Sequence, residues 1–179
     1  MEIEILLEKA LKGNKKCFIQ ALNIIERDLY LIARTKLNNE DDIKDCIQDT
    51  VLLSYKNLKK LKDIKKFKSW VTKILINNCY KILKNKNISL HSYEELEADN
   101  FVQSDDQYIE VTDDIDFFKM IEFLSEEEKT ILVMSILNDY SSIEISHILN
   151  LNENTVRSKL MRAKNKIKLK YRKELDKNV

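Results

Sequence analysis

The sequence has no proline and one glycine in 179 residues. An average chain carries roughly 7% glycine and 5% proline. Tight hairpin turns draw on both, so a sheet built from β-hairpins is not expected and helices are favoured. Cysteine is scarce as well. Cys17, Cys46 and Cys79 lie far apart in sequence and form no CxxC pair, which points to reduced, buried thiols rather than a disulfide framework or a zinc site. No run approaches the ~18 uninterrupted apolar residues of a membrane span. The acidic start, with Glu2 and Glu4, is unlike a secretory leader. A cytoplasmic protein is expected. No phosphate loop, metal-ligand cluster or nucleophile–base arrangement is visible. Glu94, Glu95 and Glu97 fall in an aperiodic strip, and His91 and His147 stand alone. Neither an enzyme nor a cofactor or metal is therefore expected.

What is present is a chain with enough apolar residues for a core, 44%, and a segregated charge. The net charge of +1 hides three blocks. Leu53 to Asn87 holds eleven lysines and one acid, Asp63. Ser92 to Asp116 holds ten acids and no lysine or arginine. Glu153 to Val179 holds ten bases and three acids. Two basic modules flanking an acidic strip point to a polyanionic partner. Asparagine takes over the turn chemistry that glycine would supply, at Asn14, Asn38, Asn39, Asn150 and Asn152.

The periodicity predicts an all-α protein of two small helical domains, 1–88 and 117–179, joined by a flexible acidic linker over 89–116. In the first domain one helix is expected near Glu2–Lys12, ended by Gly13-Asn14. A longer one then runs to about Leu37 on Phe18, Ala21, Leu22, Ile25, Leu29, Ile32 and Ala33. "NNEDD" (Asn38–Asp42) supplies a turn, an N-cap and first-turn acids for a third, reaching about Lys60. A basic loop leads to a fourth, from near Phe67 to Lys86, and the four form a bundle. In the second domain Ser125 and Glu128 make a capping box. A short helix, Ser142 to Leu149, a three-residue turn and a basic second helix make a helix-turn-helix.

On a wheel of ~100° per residue, Val156, Leu160, Ala163 and Ile167 share one side of that basic helix. Asn154, Ser158, Met161, Arg162 and Asn165 lie opposite, with Arg157 and Lys159 at the flanks. The outer side mixes amides and guanidinium groups suited to base edges with lysines suited to phosphate. A solvated, lysine-rich surface helix would show the same composition. The helix-turn-helix context and the lack of matching acids along the helix favour DNA.

At these residues the chain resembles the extracytoplasmic-function sigma factors of bacterial RNA polymerase. "DIKDCIQDTVLLSYKNLKKLKDIKKFKSWVTKILINNCYKILK" looks like their second conserved region. "LSEEEKTILVMSILNDYSSIEISHILNLNENTVRSKLMRAKNKI" looks like their fourth. The resemblance rests on Asp45-x-x-Gln48-Asp49, on Phe67-x-Ser69-Trp70 followed by Asn77, and on Thr155-Val156-Arg157-Ser158-x-Leu160-x-Arg162-Ala163 in that order. It implies a non-catalytic protein that binds core polymerase, directs it to promoters and helps open the DNA. Asp45, Gln48 and Asp49 match the face that docks on the clamp of the polymerase. Leu132 and Ile136, with Leu137, match a helix that grips its flap, although such residues are more often core. Leu61, Lys62, Lys65 and Lys66 match the part that reads the minus-ten element, with Asn77 in contact with an unstacked base and Lys81, Lys84 and Lys86 on phosphates. Trp70 is read as core. Arg157, Ser158, Lys159, Met161 and Arg162 match the minus-thirty-five contacts, and the wheel adds Asn154 and Asn165. The resemblance also implies an anti-sigma partner, in many cases membrane-bound.

Two departures from the family pattern, Asn150 for glycine and Asn152 for proline or serine, keep the turn chemistry. A third, Lys81-Ile82 for Asp-Tyr, changes contacts at the minus-ten helix. The acidic strip at 92–116 has two readings, a mimic of RNA in a cationic polymerase channel or a solubilising tether. A helix-turn-helix regulator working without polymerase would explain the second domain, but leaves "DIKDCIQD" and "FKSW" without a role. A sigma-like adaptor that no longer opens DNA would share all the motifs.

Overall fold

The computed structural model describes residues 2–92 and 112–177, and among them every regular element is a helix. In the N-terminal module these are α1 (Glu2–Leu11), α2 (Lys15–Asn23), α3 (Glu26–Arg34), α4 (Glu40–Asn57) and α5 (Phe67–Ser92). Two 3₁₀ turns, Leu58–Lys60 and Ile64–Lys66, connect α4 to α5. The C-terminal module holds α6 (Thr112–Ile121), α7 (Glu126–Ile136), α8 (Ser142–Leu149) and α9 (Glu153–Lys177). The acidic strip falls mostly on 93–111, outside the described residues.

The helix boundaries follow the chemistry of their ends. Gly13 takes a positive φ of 100°, and the Asn14 side chain accepts from the Cys17 N–H to start α2. Asn39 accepts from the N–H groups of Asp41 and Asp42, and three acids occupy the first turn of α4, where they meet the positive end of the helix dipole. Asn150 sits in the left-handed region at φ 56°, ψ 44°, the conformation that glycine or asparagine tolerates best.

Three boundaries differ from the sequence expectation. The long second helix is two, α2 and α3, because Ile25 leaves helical geometry at φ −109°, ψ 3°. Its apolar spacing runs through the break, so periodicity alone does not reveal it. α5 continues past 88 to Ser92. α6 starts at Thr112, so 112–116 belongs to a helix rather than to the linker. There Asp114 is almost fully buried and pairs with Arg27 at 2.7 Å.

The two modules pack directly on one another, which the sequence did not foretell. Their buried residues form one continuous core, from Leu7 and Phe18 to Val156 and Ala163. α3 meets α7, and α5 meets α8. Two buried hydroxyl pairs cross the seam, Thr35 with Thr130 at 2.8 Å and Thr72 with Tyr140 at 2.7 Å. The Lys36 side chain is only 3% exposed, and its ammonium reaches Glu126 at 2.8 Å and lies over the Tyr80 ring. Burial pulls its pKa down, but Glu126 and Tyr80 outweigh this and leave it above the ordinary lysine value. Lys68 donates to the Asn138 carbonyl at 2.7 Å and pairs with Asp28, which also accepts from the Asn138 amide.

Asn150 gives a direct stability test. Asn150→Ala should destabilise the protein by about 1–2 kcal/mol in urea unfolding, because a Cβ without a polar group fits poorly at positive φ. Asn150→Gly should unfold at the same or a higher urea concentration.

Candidate nucleic-acid interface

The helix-turn-helix is built from α8 and α9. Ser141 and Glu144 form a capping box at the start of α8, a signal present in the sequence as Ser-x-x-Glu and not picked out there. The left-handed Asn150 lets the Leu151 N–H return to the Ser146 carbonyl at 2.9 Å. Asn152 then caps α9 by accepting from the Asn154 N–H at 2.8 Å. This turn sets the roll of α9. Val156 and Ala163 have no exposed surface, and Leu160 and Ile167 pack beside them. The predicted stripe is therefore the buried one.

Asn154, Arg157, Met161, Arg162 and Asn165 all face outward. Met161 is 60% exposed. Arg157, Leu160, Met161, Lys164 and Asn165 line a shallow groove of about 320 Å³ along this face. Arg157 is paired with Glu153 one turn back. Arg162 folds toward Ser158, donating to its carbonyl at 3.3 Å.

Two predicted contacts are placed differently. Lys159 turns inward and pairs with Glu127 of α7 at 2.6 Å. Ser158 is half-buried, and its hydroxyl donates to the Thr155 carbonyl. Lys166 pairs with Glu128 of α7 at 2.7 Å. The matching acids missing along α9 are thus supplied by α7, across the packing. Burial alone would raise the Glu128 pKa, but Lys166 and the Ser125 cap hold the carboxyl below the usual range.

In the N-terminal module, Asn77, Lys81 and Lys84 are exposed. Their i, i+4, i+7 spacing gives them one face of α5. The neighbouring Asn78 is the buried, satisfied amide: it donates to Thr50 at 3.0 Å, and Thr50 donates to the Cys46 carbonyl at 2.7 Å. This chain ties α5 to α4. Lys62, Lys65 and Lys66 are exposed and Leu61 is half-buried. The loop carrying them is ordered by Asp63, whose side chain accepts from the Lys65 N–H to open a 3₁₀ turn. Lys86 is not free for phosphate, because it pairs with Asp42. Trp70 is partly buried, with its ring centroid 6.3 Å from that of Phe67.

Asp45, Gln48 and Asp49 form an exposed patch on α4. Leu52, 55% exposed, and Leu53, 39% exposed, extend it, and the sequence reading missed both. Their signal was available as apolar residues at i+3 and i+4 from Asp49. Leu132 has no exposed surface and is a core residue here, whereas Ile136 is 45% exposed. Of the pair expected on polymerase, only Ile136 is presented. Cys17, Cys46 and Cys79 are free and buried, as expected. The Cys46 and Cys79 sulfurs lie 3.4 Å apart, and that hydrogen bond together with burial pushes the Cys46 thiol up. Among the described residues, no cluster of ligating side chains could hold a metal, and no helix is long and apolar enough to cross a membrane.

Comparison with known proteins agrees with this geometry. Residues 24–87 match the family model described as sigma-70 region 2, and residues 116–167 match sigma-70 region 4. Together they take in more than half of the chain, one in each module. The chain belongs to the extracytoplasmic-function sigma factors of RNA polymerase. It is similar to the RNA polymerase sigma factor SigV of Bacillus subtilis, with 26% identity over 93% of this chain and 98% of that one. It is also similar to the ECF sigma factor SigW of the same organism, with 22% identity over 96% and 98%. Among solved structures it resembles CnrH in complex with the cytosolic domain of CnrY, at a TM-score of 0.67 and 19% identity over the whole of both chains. It also resembles the sigma factor RpoE from Bartonella quintana in complex with the anti-sigma factor NepR, at a TM-score of 0.68 and 19% identity over 85% and 94%. At that identity the two structures bear on the fold alone.

The Glu128–Lys166 pair predicts a pH effect. A carboxyl with a depressed folded pKa contributes stability above its unfolded value of ~4.3, and the contribution is lost as pH falls through the folded pKa. Lys166→Met should therefore move the acid unfolding transition, followed by circular dichroism, to higher pH. At pH 7 the fold should remain intact.

Proposed function

We propose that this sigma factor reads promoters with two separate faces and performs no chemistry of its own. Exposed Arg157, Met161, Arg162, Asn154 and Asn165 on α9 read the minus-thirty-five duplex. Exposed Asn77 on α5 contacts an unstacked base of the minus-ten strand. Lys62, Lys65 and Lys66 with Lys81 and Lys84 hold the backbone near it. The observation that carries this reading is the pairing of two outward cationic faces, on two helices of different modules, each combining amides with bases. A planar amide offers donor and acceptor together and suits a base edge, while lysine supplies unspecific attraction to phosphate.

The acidic patch Asp45, Gln48 and Asp49, extended by Leu52 and Leu53, docks on core polymerase, and Ile136 adds a contact from the C-terminal module. Trapping of unstacked bases drives strand opening without ATP. An anti-sigma protein is proposed as a restraining partner. The solved relatives support this, since one is seen with the cytosolic domain of CnrY and the other with the anti-sigma factor NepR.

Run-off transcription with purified core polymerase tests the proposal. Start sites should appear only when this protein is added, and start sites independent of it would sink the reading. Arg162→Ala should weaken use of promoters through their upstream element by about 1–3 kcal/mol, the range for a lost base contact. It should not alter preference at the melted element. Asn77→Ala should do the reverse, flattening discrimination among minus-ten variants in a base-by-base promoter series.

A further inference from the structure

α4 and α5 bring two thiols into contact. Cys46 of α4 and Cys79 of α5 have no exposed surface, and their sulfurs lie 3.4 Å apart. The Cys46 sulfur also approaches the Leu75 carbonyl of α5, at 3.8 Å. Cys17 is buried as well, but it is held through its backbone N–H, on Asn14. Among the described residues, Cys46 and Cys79 make the one thiol–thiol contact.

The two sulfurs are not equivalent. With Cys46 as donor, their hydrogen bond holds the Cys79 thiol below its ordinary pKa against the opposing effect of burial, and the Lys36 ammonium adds to this. The Lys36 side chain is 3% exposed, so water screens its charge little. Thiolate is the form of cysteine that attacks an oxidant. A cysteine buried alone is inert, whereas a second thiol at contact distance can capture the first oxidation product as a disulfide. A disulfide needs sulfurs ~2.05 Å apart. Rotation of two side chains has about 1.4 Å to close, across a pair of helices already packed together.

We infer that Cys46 and Cys79 form a reversible modification site for hydroperoxides, whose product is a disulfide that locks α4 onto α5. The Cys79 thiolate attacks one peroxide oxygen, the O–O bond breaks, and the departing hydroxide takes up a proton as water. Cys79 is then a sulfenic acid. The Cys46 sulfur attacks it, the S–O bond breaks, and the hydroxyl leaves as a second water with the Cys46 proton. Two thiols have given up two hydrogens, and the peroxide has taken them. Burial selects the reagent, because a small neutral peroxide can enter during brief local opening of the helix pair. The bond joins residues 33 apart. The loop it closes holds the basic turn Leu61–Lys66 and the outward Asn77. Closing a loop of that length removes unfolded conformations, so the N-terminal module becomes harder to unfold under the oxidant.

The test uses the full chain and hydrogen peroxide. Reduced protein is exposed, quenched with catalase, and unfolded in guanidinium with N-ethylmaleimide. Trypsin leaves the three cysteines on separate peptides. Mass spectrometry should find the Cys46 and Cys79 peptides linked, two hydrogens lighter than their sum, and Cys17 carrying maleimide. Circular dichroism should show the melting temperature raised by about 5–10 °C, and dithiothreitol should reverse it. Cys79→Ala should show neither the link nor the rise. Chain oxidised while unfolded should instead scatter its pairing among the three cysteines. Cys46 and Cys79 still open to maleimide at a dose that oxidises Cys17 would overturn the inference. So would sulfinic acid without a link, or the same scattered pairing in the folded protein. A linked protein that melts with the reduced one would refute the lock.

Discussion

α5 has to satisfy three neighbours at once, and the rest of the molecule is arranged around that constraint. One side, with Phe67, Val71, Leu75, Ile76 and Cys79, is buried. Another meets α8 through Ser69, Thr72 and Lys73. The third carries Asn77, Lys81 and Lys84 outward. A helix that serves three faces cannot be strongly amphipathic, and this one mixes apolar, polar and basic residues around its circumference. The Asn78–Thr50–Cys46 chain fixes its roll against α4. Because α4 carries the acidic patch and α5 the outward amide, that small buried network couples the surfaces proposed to meet polymerase and DNA in one unit.

α9 solves a simpler version of the same problem. Its buried stripe is narrow, with Val156 and Ala163 at the centre. Small and β-branched residues there let α7 and α8 approach closely while most of the circumference stays available. α7 repays this with charge as well as packing, since Glu127 and Glu128 draw Lys159 and Lys166 inward. The outer face is left with Arg157, Met161, Arg162 and the two asparagines. This division separates lysines that hold the module together from arginines and amides that can reach a base edge.

Much of this was legible in the sequence. The buried stripe of α9, the caps at Asn14, Asn39, Ser125 and Asn152 and the left-handed Asn150 are all local, and local rules find them. The acidic patch on α4 and the outward face of α5 follow from spacing within one helix. What the sequence did not show was of one kind. Lys159, Lys86 and Leu132 were assigned by their place on a single helix, and each is engaged by a group from a different element or by the core. The break at Ile25 escaped because the apolar period does not change across it.

The sequence by itself determined the helices, their caps and the outward chemistry of each basic face, because these depend on residues within a few positions of one another. Only the tertiary structure decided which lysines are spent on internal pairs, and that the two modules close on each other. Thr35 and Thr130, Lys36 and Glu126, Thr72 and Tyr140 are about 70 to 95 residues apart. No periodicity encodes such a pairing. It exists because two surfaces happen to present complementary hydroxyls and charges once each module has folded.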